Sequence, residues 1–367
     1  MQAELQNPLS NDPRGGVSAE LQFCHSARSH PARTDDVAAA EVIVLCLHLW
    51  LNSLVGDCAN STALSRARPV ISAAKQTLRT SGVPHVMFGA TEYTTTAYKA
   101  HESPFTALSD WLVLASASHW PSIAPHRMAI PYATVAELSL VRSSLLHPAK
   151  PQLLYFRGSG GFGVLRRNLT ALSRFERVHI SLGEDYCPRC SASEVSYAEA
   201  MQSSTFCLAP SGHTCTTRRF FDAIAAGCVP LVIDCEQQAL PFESQLDYGR
   251  FMLFYPFARM MSDLEAFVGC LRKLEANPTR MRELRAALQR AREALVYSWL
   301  PRSYNASADV LHSGWDRTEP SALTGYLLRE AINTTSGAAP KRPRHVRERD
   351  AGYLPRLGTV NRTDFCS

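Results

Sequence analysis

The chain has 367 residues, of which 46% are hydrophobic and 19% are charged. This composition excludes a wholly disordered protein, and the length is sufficient for two ordinary domains. The net charge of +5 is modest and comes partly from a basic stretch, Lys341 to Arg349, which we expect to be solvated. The charge therefore predicts no nucleic-acid-binding surface.

The start of the chain gives no targeting signal. Its first sixteen residues, MQAELQNPLSNDPRGG, are polar and contain no apolar core, so they predict neither a secretory signal nor a membrane anchor. The most apolar run, Val42 to Gly56, has 15 residues, fewer than the roughly 20 that span a bilayer. We interpret this run as a buried strand leading into a helix. Membrane association is expected only through an anchor that precedes this sequence.

Acceptor patterns for N-glycosylation are unusually frequent. Five of the nine asparagines begin Asn-x-Ser/Thr, whereas chance would give roughly one. They are Asn60, Asn168, Asn305, Asn333 and Asn361. Because this modification takes place on the lumenal side of the secretory pathway, the excess favours a lumenal protein. Ser/Thr-rich loops also generate such patterns without any modification, and that alternative stays open.

The pairing of the eleven cysteines cannot be derived from their spacing. Cys207 and Cys228 fall inside apolar runs, so we expect them to pack as small hydrophobic side chains. Cys187 and Cys190 form a CxxC pattern without a second pair at zinc spacing, which favours a disulfide or a simple loop over a metal site. The cysteines that could pair under oxidising conditions are Cys24, Cys46, Cys58, Cys187, Cys190, Cys235, Cys270 and Cys366.

The second half of the chain reads as an α/β domain. Five short apolar runs after Lys150 are separated by helix-like stretches, a pattern typical of a parallel sheet with crossover helices. The runs are QLLYFRG, RVHISLG, STFCLAP, CVPLVID and FMLFYP. Pro278 begins a further helix, because proline is favoured in a first turn. Its arginines are expected on a solvated face, and they are Arg282, Arg285, Arg290 and Arg292.

Strand signals in the first half are weaker. The runs AEVIVLCL and PHVMFGATEY indicate strands, and HRMAIPYA indicates a strand that runs into a linker. We therefore place a domain boundary between Leu140 and Pro151. The predicted organisation is a disordered segment at 1–32, an N-terminal domain at 33–145, a C-terminal domain at 146–300 and a partly disordered tail at 301–367.

Two adjacent arginines indicate a candidate anion site. STFCLAP is followed by Ser211 and Gly212, and a helix is predicted to begin at Thr216 or Thr217. Cations at a helix N-terminus are disfavoured by up to about 1 kcal/mol each, so Arg218 and Arg219 need an explanation. A bound diphosphate would make them favourable, and Gly212 would let the backbone approach it. The alternative is that both arginines pair with surface acids.

The same region resembles a known family. The stretch FCLAPSGHTCTTRRFFDAIAAGCVPLVID, followed by LPFESQLDYGRFMLF, is similar to the donor-binding core of the exostosin family, glycosyltransferase family 47, especially its plant-type members. Weaker similarity is carried by LLYFRG, by Gly163-x-x-Arg166, by RTDDVAAAEVIVLCL and by VPHVMFGATEY. The resemblance extends over roughly Arg33 to Trp299.

This resemblance implies a GT-B fold, with two Rossmann-like domains facing a cleft. The C-terminal domain would hold a sugar nucleotide, expected to be a UDP-sugar, and the N-terminal domain would hold a glycan or glycoprotein acceptor. It further implies an inverting transfer in the Golgi or another secretory compartment. No cofactor or catalytic metal is expected, which agrees with the absence of Asp-x-Asp from the sequence. The competing class is an inactive exostosin-like protein that binds glycans or stabilises a partner.

Residue roles follow from the motif positions. Arg219 is expected to contact the diphosphate and to stabilise charge on the leaving group. Asp222 is expected to accept hydrogen bonds from the ribose, with an ion pair to Arg219 as the alternative. The other donor-site candidates are Gly158, Arg166, Ser211, Gly212 and His213, the last of which stands where plant-type members often have Asp.

The general base is the least constrained role. Glu92 follows the apolar strand PHVMF and takes the position of an Asp in the family, so it is the first candidate to accept the proton of the acceptor hydroxyl. A lone Glu in a loop is more commonly just solvated.

Overall fold

A computed structural model gives the fold. It describes residues 23, 24, 27, 30–45, 72, 76, 85–88, 112–115, 127–132, 134, 135, 138, 150–159, 163–183, 196–211, 217–233, 240–242, 245–297 and 322–335. The chain divides into two compact units. The first comprises Met1–Ala133, Leu240–Phe242 and Tyr297–Arg344. The second comprises Thr134–Ala239, Glu243–Val296 and His345–Ser367.

The first unit contains a parallel sheet of four described strands in the order β1-β2-β3-β4. They are β1 (Ile43–Leu45), β2 (His85–Phe88), β3 (Leu112–Ala115) and β4 (Arg127–Ala129). The registers place Val44 beside Val86, Met87 beside Val113 and Leu114 beside Met128. The strands predicted from AEVIVLCL, PHVMFGATEY and HRMAIPYA are confirmed, and β3 is an additional one.

The second unit is built on a five-stranded parallel sheet with the order β6-β5-β7-β8-β9. The strands are β5 (Gln152–Ser159), β6 (Val178–Gly183), β7 (Ser204–Pro210), β8 (Val229–Ile233) and β9 (Leu253–Tyr255). Every residue of β7 and β8 is buried, as expected for interior strands of a parallel sheet that is covered on both faces. All five predicted strands are confirmed, and with them the α/β class.

Helices lie between these strands and after β9. They are α1 (Gly163–Asn168), α2 (Tyr197–Gln202), α3 (Arg218–Ala225), α4 (Phe257–Ser262), α5 (Leu264–Glu275) and α6 (Pro278–Leu295). Short 3-10 helices cover Leu169–Arg174 and Tyr248–Arg250. In α3 the side chains of Phe220 and Ile224 are buried, as predicted.

The start of α6 is confirmed, but one of its predicted surface residues is not on the surface. The Asn277 side chain accepts a hydrogen bond from the Arg280 amide and caps the helix, and Pro278 occupies its first turn. Arg292, predicted on a solvated face, is partly buried and donates to the carbonyl oxygens of Ala225 and Leu138. That expectation was wrong because α6 packs against the end of α3, where the carbonyl groups need donors.

The last described helix, α7 (Ala322–Thr335), belongs to the first unit. It lies in the segment 301–367, predicted to be partly disordered, and it buries Leu323, Thr324 and Leu327. Among the described helices, none is both long enough and apolar enough to cross a bilayer.

The cysteines of the second sheet correct another expectation. Cys207 in β7 and Cys228 just before β8 were expected to pack as separate apolar side chains, but they form a disulfide. Because β7 and β8 are neighbours in the sheet, Cys207 and the residue before β8 lie side by side, with their Cα atoms 5.8 Å apart. Both side chains are buried, as predicted, but they are bonded to each other. Cys24 and Cys270 are also disulfide-bonded.

Candidate functional site

The N-terminus of α3 lies next to the end of β7. β7 ends at Pro210 and Ser211 follows it, while α3 begins at Arg218 with Thr217 as its N-cap residue. Because β5, β7 and β8 run parallel, their carboxyl ends share one edge of the sheet. Open α/β sheets bind ligands at this edge. The predicted position of the helix start is therefore confirmed.

Arg219 is held against the end of β5. Its Nε donates a hydrogen bond to the carbonyl oxygen of Arg157 at 2.7 Å, and its Cζ lies 5.3 Å from the centre of the Phe156 ring. A Cβ at position 158 would stand 2.7 Å from Cζ and 2.9 Å from Nε of Arg219, closer than side chains tolerate. Gly158 thus makes room for the Arg219 guanidinium, and the structure brings these two predicted residues together.

Arg166 provides a second positive charge, and this one is buried. It is 2% exposed, and its Nε donates to the carbonyl oxygen of Ser211 at 3.0 Å. Burial, together with the positive charge of Arg219, lowers the pKa of Arg166 to about 10. Arg166 is therefore held by a hydrogen bond to Ser211, and it lies close enough to Arg219 for the two positive charges to repel each other.

These contacts make the edge of the sheet electropositive. Two guanidinium groups that repel each other lie beside the N-terminus of α3, which carries partial positive charge of its own. An anion bound here would offset both effects, and phosphate oxygens are well matched to arginine donors. The arrangement can therefore hold a phosphorylated ligand.

Asp222 lies one turn into α3 and is fully buried. One carboxylate oxygen accepts a hydrogen bond from the Val135 amide at 3.0 Å, and the other accepts from the Tyr197 hydroxyl at 3.0 Å. Burial raises the pKa of Asp222, and the charge of Arg218 opposes that rise. In this structure neither oxygen is available to a ribose, so the arrangement disagrees with the predicted contact. Asp222 instead fastens α3 to its surroundings.

The two adjacent arginines have different surroundings. Arg218 Nε lies 3.4 Å from Asp222 Oδ2, one helical turn along α3, and its side chain is 13% exposed. Arg219 points to β5 and Arg166 instead. The ion pair predicted as an alternative for Asp222 exists, but it is made with Arg218 and not with Arg219.

Sequence reasoning did not identify Tyr197, whose hydroxyl bonds Asp222. The two residues are 25 positions apart, and no periodic pattern links them. A local signal does locate the helix that carries Tyr197: Ser196 and Glu199 form a reciprocal capping box at the start of α2. The sequence therefore indicates where α2 begins, but it does not indicate the hydrogen bond between Tyr197 and Asp222.

Several predicted residues lie outside the described part of the chain. They are Glu92, Gly212, His213, Asn60, Asn305 and Asn361. Asn333 lies within α7, but its side chain is outside the described set. Asn168 ends α1 with a partly exposed side chain, and the Thr170 hydroxyl donates to the carbonyl oxygen of Arg167 at 2.7 Å. Within the described ranges, no cluster of three His, Cys, Asp or Glu residues could hold a metal ion.

Comparison with known proteins gives one family. The model of the Exostosin GT47 domain matches residues 9–268. A protein of Arabidopsis thaliana named as a probable glycosyltransferase is 27% identical over 121 residues, which is 33% of this chain and 24% of that protein. A probable arabinosyltransferase of the same plant is 43% identical over 56 residues, 15% of this chain and 12% of its own length.

Exostosin-1 of Drosophila melanogaster is 42% identical over 52 residues, 14% of this chain and 7% of that protein. The chain thus spans about a quarter or less of the length of each of these relatives.

Proposed function

Because this chain belongs to the exostosin GT47 domain family, we propose that it is a glycosyltransferase. It moves a sugar from a nucleotide-sugar donor to a glycan or glycoprotein acceptor. The single observation that carries this proposal is the pair formed by buried Arg166 and partly buried Arg219 beside the N-terminus of α3. A parallel sheet in each of the two units supports the GT-B class of fold as part of the proposal.

The donor diphosphate would bind at this pair of arginines. As the bond from the anomeric carbon to the diphosphate breaks, negative charge grows on the leaving group, and fixed positive groups stabilise it. The positive end of α3 contributes in the same direction. These groups supply a role that a divalent cation plays in other transferases, so the proposed reaction needs no catalytic metal. A uridine diphosphate sugar is the donor we expect.

The acceptor side of the reaction needs a base. An inverting transfer needs a base that takes the proton from the attacking hydroxyl, and Glu92 remains our candidate for that role. The acceptor is proposed to be a glycan or a glycoprotein, in keeping with the family. A screen of acceptors with different terminal sugars identifies the sugar to which the new bond is formed.

A secretory-pathway lumen, with the Golgi as first choice, is the proposed location. Disulfides form and persist in oxidising compartments, and the Cys207–Cys228 bridge together with bonded Cys24 and Cys270 supports such a location. The five glycosylation patterns support it independently.

Calorimetry with uridine diphosphate tests the donor site. Arg219→Ala should weaken binding by about 1.5 to 3 kcal/mol, the range for a hydrogen bond to a charged group. Arg282→Ala, which removes an exposed arginine of α6, is the matched control and should bind like the wild type. If the nucleoside of the donor is not uridine, a thermal-shift screen of other nucleoside diphosphates will identify it. A ligand at 100 times its Kd adds about 2.7 kcal/mol to the free energy of unfolding, which such a screen detects.

Two outcomes would overturn this function. If no nucleoside diphosphate bound the wild-type protein, the donor site would be absent. If one bound but neither sugar transfer nor donor hydrolysis followed with any sugar nucleotide, the chain would be a binding protein and not an enzyme.

A further inference from the structure

Thr217, the residue that precedes α3, lacks the hydrogen bond expected of its position. Its backbone is extended, with φ −129° and ψ 153°, which is the usual conformation of an N-cap residue. A threonine there normally accepts a hydrogen bond through its hydroxyl from an amide of the first turn. In α3 the Phe220 amide bonds to the Thr217 carbonyl oxygen instead, at 3.1 Å, and the side chain makes no capping bond.

The Thr217 hydroxyl is also buried. The residue is 8% exposed, and within the described part of the chain its Oγ1 has no hydrogen-bond partner. Buried hydroxyl groups are almost always paired, because leaving one unpaired costs free energy. An unpaired hydroxyl at a helix N-terminus therefore calls for a partner that the described residues do not supply.

The charges at this end of α3 indicate what that partner is. Arg219 lies two residues along α3, and its charge acts on Arg166, whose side chain is bonded to Ser211 at the end of β7. These positive groups and the helix N-terminus attract an anion. A hydroxyl can donate one hydrogen bond, and phosphate oxygens are strong acceptors.

We propose that Thr217 is a binding residue for the donor, and that its hydroxyl donates a hydrogen bond to a phosphate oxygen of the nucleoside diphosphate. This inference rests on the proposed function, since it assigns a further residue to the same site. Its role differs from that of the arginines. They supply charge, whereas Thr217 supplies a directed donor that is unpaired until the ligand binds.

Replacements of Thr217 separate ligand binding from helix capping. Thr217→Val keeps the shape and removes the hydroxyl, while Thr217→Ser keeps the hydroxyl. In calorimetry with uridine diphosphate and with inorganic pyrophosphate, Thr217→Val should lose about tenfold or more in affinity for both, the effect of one hydrogen bond to a charged group. Thr217→Ser should stay within about threefold of the wild type.

Stability of the free protein gives the second readout. Because the hydroxyl is unpaired without ligand, Thr217→Val should be at least as resistant to urea as the wild type. A capping role predicts the reverse, since loss of a cap destabilises the helix. Thr134 offers a matched control, for it is 6% exposed and its hydroxyl is also unpaired within the described residues. Thr134→Val should leave both affinities unchanged.

The inference and the proposed function fail in different ways. If the wild type binds the diphosphate, Arg219→Ala weakens it and Thr217→Val does not, then only the role of Thr217 is overturned. A Thr217→Val protein that is less stable than the wild type, or fails to fold, would also overturn it. So would an equal loss of affinity in Thr134→Val, because the effect would then be one of packing. If the wild type binds no nucleoside diphosphate, both proposals fall.

Discussion

At the scale of single residues, the structure separates charges that build the fold from charges that can meet a ligand. Arg218 and Asp222 form an ion pair inside the second unit, and Tyr197 and Val135 complete the hydrogen bonds of the carboxylate. Arg219 lies on the other side, at the end of β5. Neighbouring residues on a helix are turned by about 100° from each other, which is why two adjacent arginines serve different purposes.

Replacement of Asp222 by Asn distinguishes a structural role from a ribose contact. Because the carboxylate is buried and bonded by three groups, Asp222→Asn should reduce the free energy of unfolding by about 1 to 3 kcal/mol. Its affinities for uridine diphosphate and for pyrophosphate should fall together, if they fall at all. Urea denaturation and calorimetry measure the two effects.

Asp247→Asn is the control for this experiment, because Asp247 is exposed, lies 3.4 Å from Arg250, and accepts from the Gly249 amide a hydrogen bond that Asn can also accept. It should leave stability and both affinities unchanged. A selective loss of uridine diphosphate binding in Asp222→Asn, with pyrophosphate binding preserved, would restore the ribose contact and contradict our assignment.

The hydrogen-bond partners of the buried Asp222 could not be predicted from the sequence. Local signals located Arg219 correctly, because a strand, a turn and a helix start are encoded within a few residues. The partners of Asp222 are 25 and 87 positions away in sequence. Only the packing of α2 and of the segment around Val135 against α3 brings them together.

At the scale of elements, α3 is fastened at its C-terminal end as well as at its start. The amide of Gly227 bonds to the Ile224 carbonyl and that of Cys228 to the Ala223 carbonyl, the pattern of a Schellman motif. Gly227 has φ 65°, a left-handed conformation that glycine adopts readily. Lys150 Nζ then donates to the Gly227 carbonyl oxygen at 2.9 Å, so a hydrogen-bond donor lies at the C-terminal end of the helix.

Lys150 should make stability depend on pH. Burial, and then the charge of Arg285, lowers its pKa from 10.5 to about 7 in the folded protein. Between these values the unfolded chain binds more protons, so the free energy of unfolding rises with pH, by up to about 1.4 kcal/mol per unit. This contribution is complete above pH 10.5 and is lost as pH falls toward 7. Urea denaturation at pH 7, 8 and 9 measures the slope.

Lys150→Met should flatten that slope, because the substituted side chain does not titrate. Lys273→Met, at an exposed position of α5, should keep the slope of the wild type. Identical slopes for wild type and Lys150→Met would show that Lys150 stays charged throughout this range and that its burial is less complete than in this structure.

The elements also show where the predictability of the fold ends. The five strands of the second unit were predictable because each is a short apolar or alternating run bounded by turn or helical stretches. β3, Leu112–Ala115, was not predicted, although it is no shorter than β1, β2 or β4. The Cys207–Cys228 bridge was not predicted either, since it depends on which strands are neighbours in the sheet and not on the spacing of the cysteines.

At the scale of the whole molecule, two independent features bear on the compartment. Buried and bonded cysteines indicate oxidising conditions, and the Asn-x-Ser/Thr patterns indicate exposure to glycosylating enzymes. The two features rest on different chemistry. A cytosolic protein would have no reason to combine them, so their coincidence favours the secretory pathway more than either does alone.

Glycosylation can be measured directly on this chain. When it is expressed in a eukaryotic host with a supplied signal peptide, the secreted product should move faster in electrophoresis after N-glycosidase digestion, because each glycan adds mass. Asn168 is a partly exposed acceptor at the end of α1. Asn168→Gln and Thr170→Ala destroy the same acceptor by different changes, so before digestion both variants should run one step faster than the wild type. Unchanged mobility of the wild type after digestion would contradict the lumenal location, whereas a faster band in Asn168→Gln but not in Thr170→Ala would show that the shift does not come from loss of this glycan.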